Sequence, residues 1–143
     1  MNATKSLALP FAAGLAMVAA ALAVPASAAP GDGHPVVTVR DVTLTNADSG
    51  ETVQAHPGDT VRVSLTGARV DGRTWAWSIP VSDHAQVLNR TIGENTANGD
   101  AMGYFRVNAP GTARIDSVKR CVADPGQVCP RLGVLWRVTV VVR

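Results

Sequence analysis

Thr60-Val61-Arg62-Val63-Ser64-Leu65-Thr66 alternates apolar and polar residues without a break. Successive side chains of a strand point to opposite sides, so Val61, Val63 and Leu65 share one face. Pro57-Gly58-Asp59 stands before the run and Gly67 follows it, so turn chemistry bounds the strand on both sides. The same grammar recurs along the chain. Residues 36–45 are rich in β-branched side chains, but Val37 and Val39 are out of phase with Val42 and Leu44. That switch predicts a bulge or kink near Arg40-Asp41. Residues 52–54 form a short strand. Trp75-Ala76-Trp77-Ser78-Ile79 resumes the alternation, with both indoles on one face, and Pro80 ends it.

Further strands are expected over residues 86–92, 101–108, 112–119 and 134–142. Phe105 and Val107 are in phase, as are Ala113 and Ile115. Trp136, Val138, Val140 and Val142 form the last apolar face. Between these runs lie Asn46-Ala47-Asp48-Ser49-Gly50, a connection over residues 67–73 that contains Asp71-Gly72, a polar stretch over 93–100 with Asn98-Gly99, and Ala109-Pro110-Gly111. Asn-Gly is a strong hairpin dipeptide. No stretch shows a helical period. About seven strands at turn-punctuated spacing predict an all-β chain. The expected architecture is an immunoglobulin-like Greek-key β-sandwich, with a small barrel as its rival.

The first residues read differently. Lys5 is the single cation before an uncharged apolar run over residues 6–24, and Pro25-Ala26-Ser27-Ala28 closes it with small residues at the A-x-A positions. That is the pattern of a secretory signal peptide, cleaved after about Ala28. The run is slightly short for a membrane span and is broken by Pro10 and Gly14. The expected organisation is a signal peptide at 1–28, a flexible segment at 29–35 and the β-domain at 36–143. The chain is expected to be extracellular, with no membrane association once the leader is removed. The whole sequence has 13 basic and 11 acidic residues, an excess too small to recommend a nucleic-acid partner.

Cys121 and Cys129 are the two cysteines, and an oxidising compartment makes a disulfide their expected state. Asp124-Pro125-Gly126 lies between them as a turn, because Pro fixes φ and Gly permits positive φ. The spacing is not that of a C-x-x-C redox pair.

Catalytic chemistry is not visible. His34, His56 and His84 stand apart, without metal-ligand spacing. Ser82-Asp83-His84 has the residue types of a triad, but consecutive residues do not place a base between nucleophile and acid. The carboxylates are dispersed over turns, and no nucleophile elbow is present. The chain is therefore expected to be no enzyme and to need no cofactor or metal. Trp75 and Trp77 read more readily as core than as a sugar-stacking platform, since Ile79 continues their face. Asn89-Arg90-Thr91 fits a glycosylation sequon and is given no role.

From Gly58 to Val142 the order of parts resembles the chagasin-like cysteine-protease inhibitors. The shared frame is Gly58-Asp59 before a strand, Trp75-Ala76-Trp77, Phe105-Arg106-Val107, Pro110-Gly111-Thr112-Ala113 and Trp136-Arg137-Val138-Thr139-Val140. The resemblance implies an immunoglobulin-like sandwich whose three loops at one end wedge into a papain-like cleft. The family's inhibitory motifs fall on Val70-Asp71-Gly72-Arg73-Thr74-Trp75, Gly99-Asp100-Ala101-Met102 and Arg120-Cys121-Val122. Of those motifs this chain keeps the aromatic Trp75, Gly99 and Arg120.

The expected binding residues are Arg69, Val70, Asp71, Gly72, Arg73 and Thr74 in one loop, and Asn98, Gly99 and Asp100 in a second. Arg120, Asp124 and Pro125 belong to a third, which the Cys121–Cys129 bridge closes. A rigid loop loses less entropy on binding, which suits a recognition module. The function this predicts is a secreted, monomeric protein-binding module, with a cysteine protease as one partner class. The alternative is a small-molecule or carbohydrate-binding sandwich that uses Trp75, Trp77 or Trp136.

Overall fold

The structure is a computed structural model and describes residues 38–143. The expected signal peptide, and Val36 and Val37 of the first expected strand, lie outside the described residues.

Among the described residues ten strands form two sheets. In chain order they are β1 (Asp41–Leu44), β2 (Thr52–Ala55), β3 (Thr60–Leu65), β4 (Ala68–Val70), β5 (Arg73–Trp77), β6 (Val81–Ser82), β7 (Leu88–Asn95), β8 (Ala101–Val107), β9 (Gly111–Ala123) and β10 (Gly133–Val142). One sheet runs β1-β3-β8-β7. The other runs β2-β10-β9-β5-β4, with β6 paired to β9. The fold is an immunoglobulin-like β-sandwich. β1 and β2 close one edge of each sheet by parallel pairing, to β3 and β10 respectively. Between them Thr45 caps a short 3-10 turn, Asn46–Asp48, at which the chain changes sheets.

The alternating faces read from the sequence make the core. Val61, Val63 and Leu65 of β3 meet Phe105 and Val107 of β8, and Ile115, Trp136, Val138 and Val140 cover them from the other sheet; all are buried. The Trp136 indole N–H is satisfied by the Thr45 carbonyl oxygen at 2.9 Å.

Several boundaries differ from the sequence reading. The first strand begins only at Asp41, because the Arg40 backbone is bound at the turn before β3: its N–H donates to Asp59 Oδ1 at 3.0 Å, and its carbonyl accepts from the Thr60 N–H at 3.0 Å. The kink expected near Arg40-Asp41 is thus the start of the strand. The connection expected over 67–73 contains a strand, β4, which is exposed throughout and so carries no alternation. The polar residues 93–95 belong to β7, an edge strand with one buried residue, Leu88. β9 runs through Cys121 to Ala123 rather than ending at Lys119. The count exceeds seven mainly because β4 and β6 are too short to show a period.

Candidate binding end

Three connections gather at one end of the sandwich. β3 finishes at Leu65 beside Ala101, where β8 starts. β4 and β5 turn back at residues 70–73, beside Ala123 at the end of β9. β10 starts at Gly133, opposite Arg120. The turns β4–β5, β7–β8 and β9–β10 therefore share that end.

The first is a two-residue hairpin loop. Asp71 and Gly72 have φ of 49° and 70°, as a type I′ turn requires, and Asp tolerates that region better than most side chains. The second is longer than the Asn-Gly pair alone. The Gly99 N–H donates to the Thr96 carbonyl at 3.0 Å, and the Thr96 N–H to the Asp100 carbonyl at 2.9 Å. Gly99 alone has positive φ, at 90°. This is a type I turn with a glycine bulge. In the third, the Gln127 N–H donates to the Asp124 carbonyl at 3.0 Å, with Pro125 and Gly126 in the middle and Gly126 at φ 84°. That is the type II turn which Pro-Gly favours. Cys121 and Cys129 are bridged across it, with Cα atoms 5.6 Å apart.

The first and third turns are tied to each other, and the second to β5 and the residue before β4. The Asp124 N–H donates to the Gly72 carbonyl at 2.9 Å, and the Asp124 carboxylate pairs with the Arg69 guanidinium. The same guanidinium donates to Thr74 Oγ1 at 3.0 Å. A Cβ on Gly72 would lie 3.1 Å from Gln127 Cγ, so the third turn rests on the first. The Asp100 carboxylate accepts from the Gly67 N–H at 2.7 Å, and the Gly99 carbonyl accepts from the Trp77 N–H at 2.9 Å. The second turn is thereby fixed to the edge of β5.

The expected site residues thus divide into two groups. Arg69, Gly72, Thr74, Gly99, Asp100 and Asp124 hold the turns together. Val70, Asp71, Asn98 and Pro125 are exposed at the tips. Arg73 is half-buried, and its Nε is buried without a hydrogen-bond partner. Arg120 is not a loop residue. It lies within β9, paired with Ala76 of β5, on the outward side of the sheet. The sequence reading also passed over Val122, Val128 and Leu132, exposed apolar residues in and beside the third loop. Their signal was visible: apolar residues flanking a turn, with no alternation to bury them.

The three indoles of the stacking alternative differ in exposure. Trp136 and Trp77 are buried, and only Trp75 is half-buried. The Trp77 indole N–H donates to the Thr66 carbonyl at 3.0 Å, and Lys119 Nζ stands 5.0 Å from its ring centre. Ser82-Asp83-His84 is a structural turn at β6. Asp83 Oδ1 contacts His84 Nδ1 at 2.9 Å and accepts from the Arg114 backbone N–H at 2.7 Å. Burial pushes the Asp83 pKa up, but the hydrogen bonds from Arg114 and His84 outweigh it and the net shift is downward. Ser82 Oγ accepts from the His84 backbone N–H, not from its ring. Among the described residues no three His, Cys, Asp or Glu side chains converge as a metal site would need.

No family model matches the chain, and no curated protein matches it. Solved structures do. The cysteine protease inhibitor EhICP2 from Entamoeba histolytica is 13% identical with a TM-score of 0.48, over 73% of this chain and 97% of that one. Amebosin is 14% identical at 0.44, over 74% and 99%. PbICP-C, solved in complex with falcipain-2, is 12% identical at 0.43, over 74% and 92%. At such identities and TM-scores the likeness says nothing of what this chain binds.

Proposed function

We propose that this chain is a secreted protein-binding module that engages its partner through the three turns at one end of the sandwich. The observation that carries the reading is their mutual bracing. Arg69–Asp124, Asp124–Gly72, Asp100–Gly67 and Gly99–Trp77 hold all three turns in one arrangement. Such an end is organised before it meets a partner, so little conformational entropy is lost on contact. The exposed tips, Val70, Asp71, Asn98 and Pro125, are the contact residues of this reading. A papain-like cysteine protease is the first partner class to test, because the order of sequence motifs resembles inhibitors of such enzymes.

The test is inhibition of a papain-like, a subtilisin-like and a trypsin-like protease by the oxidised protein. Stoichiometric inhibition of the papain-like enzyme, weakened at least tenfold by Asp71→Arg combined with Asn98→Arg, supports the reading. Absence of inhibition at micromolar concentration overturns the protease assignment.

A further inference from the structure

The outward side of β9 changes character along its length. Its residues at this side are Arg114, Asp116, Val118, Arg120 and Val122, alternating with the core face. The first two are neutralised. Arg114 Nε bonds Asp83 at 3.0 Å, and Arg137 of β10 grips the Asp116 carboxylate through Nε and Nη2 at 2.7 and 2.8 Å. Beyond them the pairing stops. Val118 stands opposite Leu135, which is 50% exposed, and Leu132 nearby is 70% exposed. An open groove of about 490 Å³ runs here against the disulfide, lined by these three residues together with Arg120, Arg131 and Pro130. A second depression of about 370 Å³ flanks Val118 and Arg120 on the β5 side.

The groove has cations and no carboxylate. Arg120 and Arg131 are exposed, and among the described residues neither has an ion-pair partner, whereas Arg69, Arg114 and Arg137 each do. Two free guanidiniums beside exposed leucines fit a ligand that offers carboxylates and aliphatic side chains together. Guanidinium is the preferred protein group for carboxylate, through its planar fork. We propose that this groove docks an extended acidic, aliphatic peptide segment of the protein partner, on the flank of the sandwich rather than at its tip. The proposal rests on the preceding reading only in taking the occupant to be protein.

The probe is a synthetic peptide of alternating Glu and Leu, with a Lys-Leu peptide of equal length as control, titrated into the 15N-labelled oxidised protein. The Glu-Leu peptide is expected to shift the amides of Val118, Arg120, Leu132 and Leu135, and the Lys-Leu peptide to leave them in place. Arg120→Glu with Arg131→Glu should weaken Glu-Leu binding at least tenfold. Both positions are exposed, so an unchanged amide spectrum elsewhere verifies the fold. Leu132→Ala, a milder exposed change, should weaken it severalfold. No shifts, equal shifts by both peptides, or shifts confined to Asp71, Gly72, Asn98 and Gly99 would overturn the proposal. Protease inhibition that survives the double Arg→Glu change leaves the tip reading standing. Peptide binding without protease inhibition leaves the groove standing alone.

Discussion

Gly67 and Gly99 meet where the second turn lies against β5. A Cβ on Gly67 would come within 2.4 Å of the Gly99 carbonyl carbon, and one on Gly99 within 2.7 Å of the Trp75 carbonyl oxygen. Backbone atoms cannot swing aside as a side chain can. Gly99 also needs its positive φ. Gly67→Ala and Gly99→Ala should each lower stability by about 1–3 kcal/mol. Urea unfolding measures this, and a loss under 0.5 kcal/mol would mean the turn is not seated as described. Asp59 offers a second test. Its carboxyl is held below its ordinary value by the His56 backbone N–H and then by that of Arg40, against the opposing effect of burial. A depressed native value gives stability that is complete above the unfolded value and lost as pH falls through the native one. The protein should therefore lose stability progressively below about pH 5, and Asp59→Asn should flatten that decline. Melting temperatures between pH 7 and 2 would show it. Asp59 was legible as a turn residue beside Gly58. Its second bond, to Arg40, was not, because nothing local marks a contact across 19 positions.

At the scale of elements, the strands with one buried face were readable, whereas the short β4 and β6 were not. Val61, Val63 and Leu65, or Trp136 to Val142, repeat a period of two because one sheet face is covered. β4 lies exposed at an edge, so Ala68-Arg69-Val70 carries no pattern, and the hairpin that closes on Asp71-Gly72 read only as a connection. That turn is testable by itself. Asp71→Gly should be near neutral, whereas Asp71→Val, a β-branched residue at φ 49°, should cost about 1–2 kcal/mol. The Cys121–Cys129 bridge, expected from count and compartment, closes a loop of eight-residue separation. Its removal by Cys121→Ser with Cys129→Ser should cost about 2–3 kcal/mol. Thermal melts of the oxidised protein and the double variant compare the two directly.

At the scale of the molecule, two sheets bring together three turns that are far apart in sequence. Arg69 and Asp124 are 55 positions apart, Gly67 and Asp100 are 33 apart, and each pair braces the same end. The sequence placed Arg69–Thr74, Asn98–Asp100 and Asp124–Pro125 in loops. Which of those side chains brace and which face outward depends on the packing of both sheets. Arg120 shows why: read by position it belongs to the cysteine loop, but β9 continues past it and turns it onto the sheet face. Val122, Val128 and Leu132 are the opposite case: they flank a turn with no alternation to bury them, and they are exposed.

The braced end as a binding surface is tested most directly by titrating a papain-like protease with the oxidised protein and following residual activity. Stoichiometric inhibition by the native chain is expected. Asp71→Arg with Asn98→Arg should weaken the inhibition constant at least tenfold, while the amide spectrum away from the two turns stays that of the native fold. Full inhibition by that folded double variant would contradict the account, since the tips would then not be the contact.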